Sequence, residues 1–151
     1  MPSKRHPLPQ FLTGRVSQLV YERWLSRKAA AHLKRDQKRG YEDVSGSLYR
    51  DQIHDAVLAS EGLDYYTGEE LDWSLLSKYN NEDSAAGKHT YKAGFALLPT
   101  IDHIESARMN SGFHICGWRT NDAKHDLTHH EFIQLCKLVL QKAGLNVTSE
   151  A

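Results

Sequence analysis

An aspartate and a histidine stand side by side at positions 102 and 103, within the stretch LLPTIDHIES that spans residues 97–106. Ile101 and Ile104 flank the pair, so two titratable side chains sit in an otherwise apolar setting. Two kinds of chemistry fit this arrangement. The residues could form a buried ion pair, or Asp102 could bind a metal ion beside His103 as a general base, because an unperturbed imidazole titrates near ~6.5.

A second set of polar side chains follows downstream of this pair. Histidine is dense between residues 103 and 130, where Asn121 also stands, and nitrogen and oxygen donors of these kinds bind divalent cations in proteins. Some of these residues have simpler explanations, because His114 falls in a predicted strand and Asp126 at a predicted helix start. The histidines of this stretch are His103, His114, His125, His129 and His130.

Apolar spacing predicts the elements that must position these groups. A helix is expected from about Arg15 to Arg39, because Val16, Val20 and Trp24 recur at i+4, and Gly40 ends it. A second helix is expected from about Ser47 to Ser60, and a short one around 70–79 before a polar loop over 80–89.

The second half of the chain predicts two strands followed by a capped helix. Strands are expected over 91–104 and 113–118, and Thr128 and Glu131 form a T-x-x-E capping box that opens a helix to about Ala143. The fold class expected from this order is α+β, a mostly helical chain with a small two-stranded unit. The predicted core row of the last helix is Phe132, Leu135, Cys136 and Val139.

Composition and charge limit the class of protein. The 151 residues are 40% hydrophobic and 25% charged, which is ordinary for one soluble domain, and no apolar run approaches the ~20 residues that span a bilayer. Cys116 and Cys136 form no C-x-x-C pair, so we expect two ordinary thiols of a cytoplasmic protein. Residues 1–39 hold ten Lys/Arg against two acidic residues (+8), while 40–151 hold nine against seventeen (−8). This asymmetry indicates a polyanion contact at the N-terminal third, and the alternative is a basic helix face that is only solvated.

Two motifs resemble those of the HNH nucleases, whose catalytic unit is the ββα-metal fold. PTIDHI (99–104) is similar to the strand-borne Asp-His of that family, and CGWRTNDAKHDLTHHEFIQLC (116–136) is similar to its second strand followed by an N-x-x-K turn into the metal-binding helix. YYTGEELDW (65–73) resembles an upstream segment that often contains a C-x-x-C zinc knuckle; the cysteines are missing here, so no structural zinc is expected. The resemblance covers residues 63–140.

The resemblance implies a role for each matching residue. Asp102 would bind a divalent cation, His103 would be the general base that deprotonates the attacking water, and Asn121 would supply the second metal-binding side chain. His125 stands four residues after Asn121, where some family members have a further ligand. The expected ion is Mg²⁺, which prefers oxygen ligands, with Mn²⁺, Ni²⁺ or Zn²⁺ favoured if His125 takes part.

One departure from the family pattern concerns the loop between the strands. The family usually has an Asn at the start of the second strand, which braces the loop and orients the catalytic His. That place falls near Gly112 here. Either Asn110 fills the role through a shifted loop, or the role is absent.

The predicted organisation is a flexible arm (1–14), a basic helical extension (15–62), an HNH ββα-metal nuclease domain (63–145) and a tail (146–151). The predicted function is a metal-dependent DNA endonuclease with no membrane partner, and a homodimer is an open option for cutting both strands. The alternative, favoured by the missing Asn, is a non-catalytic nucleic-acid-binding module on a degenerate HNH scaffold; a metallopeptidase is disfavoured because H-E-x-x-H is absent. DNA contacts are predicted for Arg27, Lys28, Lys34, Arg35, Lys38, Arg39, Arg119 and Lys124.

Overall fold

A computed structural model describes residues 5–77, 94–104 and 112–149. Within these ranges the chain is an α+β protein, mostly helical, with four α-helices and one two-stranded antiparallel sheet. No helix in the described ranges has the length and apolar character needed to cross a membrane. In chain order the elements are α1 (Gln18–Lys38), α2 (Gly46–Ser60), a 3₁₀ turn (Trp73–Ser77), β1 (Pro99–His103), β2 (Phe113–Gly117), α3 (Trp118–Lys124) and α4 (His129–Lys142), with a further 3₁₀ turn at Gln10–Leu12.

Helix α1 is amphipathic, as its spacing predicts, and it starts three residues later than expected. The Ser17 side chain caps it by accepting a hydrogen bond from the Val20 amide at 3.1 Å. Its buried row contains two polar residues, His32 and Asp36, that a purely apolar reading does not anticipate. The full row is Tyr21, Trp24, Leu25, Ala29, His32 and Asp36.

The sheet is a hairpin of five-residue strands. Ile101 pairs with Ile115, Asp102 with His114, and His103 with Phe113. Because side chains alternate across a strand, Asp102 and His114 face one side while His103 and Phe113 face the other. The first strand is shorter than the predicted 91–104, of which residues 91–93 lie outside the described ranges.

The hydrophobic core crosses the boundary predicted between residues 62 and 63. Trp24 of α1 meets Trp73 of the 3₁₀ turn edge to face, with ring centroids 5.7 Å apart. Ile53 of α2 and Ile115 of β2 are buried in the same cluster. Helices α1 and α2 therefore share one core with the hairpin and are not an appended extension.

The N-terminal segment that was expected to be a flexible arm is packed from residue 5 onward. His6 is buried, and its Nε2 lies 2.7 Å from Asp51 Oδ1 on α2. Arg5 pairs with the same carboxylate at 3.0 Å, and Leu12 is fully buried in the core. Burial of a leucine side chain contributes about 2 kcal/mol, which explains why a proline-rich segment with few apolar residues is held in place.

Helix α4 begins at the predicted capping box, which is confirmed. Thr128 accepts from the Glu131 amide at 3.1 Å, and the Glu131 side chain accepts from the Thr128 amide at 3.0 Å. The predicted core row on this helix is wrong, because none of its fourteen residues is buried. Ring contacts join only its first turns to Tyr65 and Tyr66 within the described residues, so the apolar row remains at the surface.

Candidate active site

A cleft of about 290 Å³ lies between the C-terminal half of α1 and the end of α3, with the end of β1 as its floor. It brings together Asp102, His103 and Asn121, the three residues matched by the sequence motifs. Side chains of both signs border it. The lining residues are His32, Arg35, Asp36, Arg39, Ile101, Asp102, His103, Asn121, Asp122, His125 and Asp126.

His103 is held by a carboxylate that lies far away in the sequence. Its Nε2 is 3.0 Å from Asp36 Oδ1 and 2.9 Å from Asp36 Oδ2, and Asp36 is only 1% exposed. A carboxylate only accepts hydrogen bonds, so Nε2 must carry the proton, and the lone pair of neutral His103 then lies on Nδ1. The tautomer and ring orientation needed for a general base are therefore fixed by Asp36.

Tyr49 on α2 secures the carboxylate in turn. Its hydroxyl donates to Asp36 Oδ2, and burial together with this hydrogen bond raises the pKa of Tyr49, which keeps the hydroxyl protonated as a donor. Asp36 is thus held between a phenol and an imidazole. The Arg39 guanidinium, 3.7 Å from Asp36 Oδ1, adds positive charge to the exposed edge.

His32 and Phe113 pack against the His103 ring. The His32 centroid is 5.2 Å from that of His103, and the Phe113 ring meets His103 edge to face at 4.9 Å. Burial, followed by the positive charge of Arg35, lowers the pKa of His32 to about 3. His32 is therefore neutral at physiological pH and adds no positive charge beside His103.

Asp102 has different partners on the opposite face of β1. Its Oδ2 accepts from the Tyr66 hydroxyl at 2.8 Å and lies 3.1 Å from Lys124 Nζ. The ion pair is buried, with Lys124 only 4% exposed. Burial and the bond to Asp102 raise the pKa of Tyr66, so its hydroxyl remains a donor. The strand ends at His103, and the cleft lies across that end, so both Asp102 and His103 line it despite facing opposite sides.

Helix α3 places Asn121 in the cleft, and His125 lines the same cleft from the residue that follows the helix. The helix ends at Lys124, and His125 has a φ of 51° with its amide bonded to the Asn121 carbonyl at 2.9 Å. The His125 side chain is 80% exposed and pairs with Asp126 at 3.3 Å. The i+4 spacing places two residues on one face only in a continuous helix, so His125 reaches the cleft from the turn after α3 and not from the helix face.

The donor set suits an ion that keeps most of its water. Asp102 offers a carboxylate and Asn121 an amide oxygen at one cleft, and both contacts of Asp102 go to Oδ2, while Oδ1 carries lone pairs of its own. Mg²⁺ commonly binds through one or two carboxylates, waters and substrate phosphate oxygens. Among the described residues, no group of three or more His, Cys, Asp or Glu is arranged to hold a metal.

The basic side chains predicted to contact DNA lie in three different settings. Five lie on α1 and Arg39 directly follows it; burial and the neighbouring charges of Arg27 and Arg35 lower the pKa of Lys28. Arg119 is exposed and paired with Glu69. The DNA contact predicted for Lys124 does not fit its placement, because its ammonium group is buried against Asp102.

The loop-bracing Asn110 lies outside the described residues. At the nearby position predicted for the missing Asn, the Gly112 carbonyl accepts from the Ile104 amide at 3.1 Å. Gly112 has a φ of +92°, a conformation that favours glycine. Within the described chain, the carboxylate that orients His103 comes from Asp36.

Asp64 connects two segments that form the site, and the sequence analysis did not identify it. Its Oδ1 accepts from the amides of Tyr66 and Thr67, and its Oδ2 accepts from the Gly117 amide and the Thr120 hydroxyl, all within 3.1 Å. It therefore ties the turn that carries Tyr66 to the start of α3. A Cβ at Gly117 would lie 2.8 Å from the Ala96 carbonyl oxygen, so this junction also requires glycine.

Asp36 and Tyr49 were missed as well, although one signal was available. Asp36 lies four residues after His32, and every other charged residue after Glu22 on this helix is positive. The sequence therefore contained a signal, a single carboxylate in the row that is buried. Tyr49 carried no comparable signal. Comparison with protein-family models, with curated proteins and with solved structures found no match to the chain.

Proposed function

We propose that this protein is a metal-dependent DNA endonuclease that hydrolyses phosphodiester bonds at the cleft, in the manner of the HNH nucleases. The observation that carries the proposal is His103, oriented by buried Asp36 beside Asp102 and Asn121, in a cleft edged by arginines. An imidazole of fixed tautomer suits proton abstraction from water near neutral pH. The arginines suit a phosphate.

In the proposed reaction, His103 Nδ1 accepts a proton from a water molecule as the water oxygen bonds to phosphorus. The bond from phosphorus to the 3′ oxygen breaks, and that oxygen takes up a proton, which leaves a 5′-phosphate and a 3′-hydroxyl. Asp36 stabilises the imidazolium that forms, as a carboxylate does in other dyads. Arg35 and Arg39 would bind the flanking phosphate oxygens.

Asp102 and Asn121 are the residues that would hold the divalent ion, Mg²⁺ by the chemistry of the donors. Once bound, such an ion stabilises negative charge on the phosphoryl and leaving oxygens as a Lewis acid. Lys124 already neutralises Asp102, so ion binding requires Asp102 to exchange or share that partner.

The basic rows of α1 supply the proposed DNA-binding surface. Arg35 and Arg39 line the cleft, and Lys28 lies on the same helix seven residues before Arg35. Arg27, Lys34 and Lys38 make a parallel row. Phosphate contacts by this surface would make binding steeply dependent on salt.

The test is cleavage of supercoiled plasmid with Mg²⁺, Mn²⁺, Ni²⁺ and Zn²⁺. We expect nicking or cutting by the wild type that requires a divalent ion, and a rate reduced about 10³-fold in His103→Ala and in Asp102→Ala. His130→Ala, a change at an exposed position on α4, is the matched control and should cut normally. Equal cutting by His103→Ala and the wild type would sink the site assignment.

A second candidate is a nucleic-acid-binding module that does not cut. The observation that favours it is the complete pairing of Asp102 Oδ2 with Lys124 and Tyr66, which leaves the proposed metal ligand already neutralised. DNA binding by the wild type without cleavage in any of the four ions would select this candidate. Cleavage that depends on His103 would eliminate it.

Salt dependence tests the DNA-binding surface independently of catalysis. Replacing Lys34, Arg35, Lys38 and Arg39 by Ala should lower the slope of log Kobs against log salt by about 3 to 4, since each lost phosphate contact removes about 0.9. Replacing Arg15, which precedes α1 and pairs with Glu70, and Lys137, which lies on α4, by Ala is the control. An unchanged slope in the fourfold variant would remove α1 from the interface.

A further inference from the structure

Helix α4 presents an apolar face that is exposed beyond its first turn, where the Phe132 ring meets the Tyr66 ring edge to face. Phe132, Cys136 and Val139 follow at spacings of four and three residues, which is the seam spacing of helices that pack along their length. Val139 is 59% exposed and the neighbouring Leu138 is 63% exposed. A continuous apolar face of this kind marks an interaction surface.

The remaining segments of this chain are poorly suited to cover that face. Residues 78–93 and 105–111, outside the described ranges, contain no Leu, Ile, Val or Phe. Covering an apolar helix face requires apolar area of comparable size, since the stabilisation scales with the area removed from water. An occupant with its own apolar helix face is needed.

We infer that this occupant is the α4 helix of a second copy of the chain, packed antiparallel about a two-fold axis. Charge complementarity along the helix supports this arrangement. Glu131, Leu135, Leu138 and Lys142 follow at spacings of four, three and four, so they lie along one edge of the apolar face. In an antiparallel pair related by a two-fold axis, this edge of one helix lies against the same edge of the other helix. The rotation reverses the helix direction and leaves this edge on the same side of the interface.

This geometry places Glu131 of each copy opposite Lys142 of the other copy. The two helices therefore form the same ion pair at both ends of the interface, and their dipoles run in opposite directions. A parallel pair would instead bring this edge against the edge that carries Lys137, with no repeated pair of opposite charges. The charge pattern selects the antiparallel arrangement.

The two-fold axis passes midway between Glu131 and Lys142, which is between residues 136 and 137. The Cys136 thiols of the two copies then lie close to the axis and within reach of each other. Cys136 is exposed, whereas Cys116, the other cysteine of the chain, is fully buried with its pKa raised to about 12 by burial. A disulfide between the Cys136 residues of the two copies would therefore report this arrangement.

The first experiment measures molar mass in solution by light scattering and sedimentation velocity. We expect the wild type at about 100 µM to have twice the mass of one chain, a result that requires a Kd below that concentration. Val139→Glu should raise the Kd at least about tenfold, since it buries a charge in the centre of the interface. Gln134→Glu, on the polar face, is the matched control and should dimerise normally.

The second experiment tests orientation. Lys142→Glu should weaken the dimer, and the double variant Glu131→Lys with Lys142→Glu should restore it; helix content is measured for both, because Glu131 also belongs to the capping box. Mild oxidation should link the wild-type dimer through Cys136 and leave Cys136→Ser unlinked.

A monomeric wild type, or a Val139→Glu variant that dimerises as the wild type does, would overturn the proposal. A dimer that forms no Cys136 disulfide, or a double variant no tighter than Lys142→Glu, would overturn the antiparallel arrangement. None of these measurements involves DNA, so a failure here leaves the proposed nuclease function untouched, and a failure to cleave DNA leaves the dimer untouched.

Discussion

On one face of the hairpin, His103 is paired with the buried carboxylate of Asp36; on the other, Asp102 is paired with the buried ammonium group of Lys124 and the Tyr66 hydroxyl. The imidazole is thus paired with a carboxylate and the carboxylate with an ammonium group, each from another part of the chain. The pairings have different consequences. Asp36 orients His103 and leaves the lone pair on Nδ1, whereas Lys124 neutralises the carboxylate that a cation would approach.

The difference shows that His103 is closer to the state its proposed role requires than Asp102 is. His103 already has the tautomer that the proposed general base requires, without any added group. Lys124 neutralises the negative charge of Asp102, so a metal ion would have to compete with Lys124. Changing one partner on each face separates these two roles.

The largest effect is expected from Lys124→Met, which removes the cation on the Asp102 face. Breaking a buried ion pair on one side leaves an uncompensated charge, so the free energy of unfolding should fall by about 3 kcal/mol. Chemical denaturation measures this loss. Arg119→Met, which breaks the exposed pair with Glu69, is the control and should cost less than about 1 kcal/mol.

The same Lys124→Met variant sharpens the comparison through metal binding. If Asp102 is a metal ligand, removal of its competitor should let Mg²⁺ or Mn²⁺ raise the melting temperature more in the variant than in the wild type, because a ligand stabilises the state it binds. An equal response in both proteins would contradict the ligand role of Asp102.

The second effect concerns the His103 face and is expected from Asp36→Asn. His103 contacts both oxygens of Asp36, so the amide turns either its oxygen or its nitrogen toward Nε2 and no longer enforces one tautomer. We expect kcat for DNA cleavage to fall about 100-fold with little change in KM. A variant with a raised KM and an unchanged kcat would show that Asp36 acts in binding and not in orienting the base.

The smallest effect is the pH dependence contributed by His32 on the same face. The pKa of folded His32 is lowered to about 3, so below pH ~6.5 the unfolded chain takes up a proton that the folded chain does not, and stability falls as the pH falls. Between pH 7 and pH 5 this contributes about 2 kcal/mol. His32→Asn should therefore lose less stability than the wild type over that range in denaturant titrations.

His130→Asn is the control for this titration, because His130 is exposed on α4. Its loss of stability from pH 7 to pH 5 should match that of the wild type. A His32→Asn variant with the full acid sensitivity of the wild type would show that other groups are responsible.

Sequence reasoning found the parts of the site that are encoded locally. The Asp102-His103 pair, Asn121 and the Thr128–Glu131 capping box can be read from spacings of a few residues, and all three motif residues line one cleft. Asp36 lies 67 residues before His103, and no local pattern connects them. Lys124 was read as a surface cation because burial of its ammonium group depends on the position of Asp102 in the folded chain.

Helix α4 shows that a correctly predicted helix can still have a wrongly predicted environment. Its apolar spacing correctly predicted an amphipathic helix, but such spacing cannot say whether the partner of the apolar face belongs to the same chain. On α1, the same kind of pattern packs against α2 and the Trp73 turn, and the row is buried. On α4 the row is exposed, which is the basis of the proposed dimer.

Chemical rescue of His103→Gly tests the central claim most directly. The variant leaves a space beside Asp36 for a free imidazole, so added imidazole should restore part of the plasmid-cleavage rate, as should 4-methylimidazole. 1-Methylimidazole should fail, because it cannot donate to Asp36 and accept a proton from water at the same time. Equal rescue by all three compounds, or no rescue in a variant that still folds and binds DNA, would contradict an Asp36-oriented base at His103.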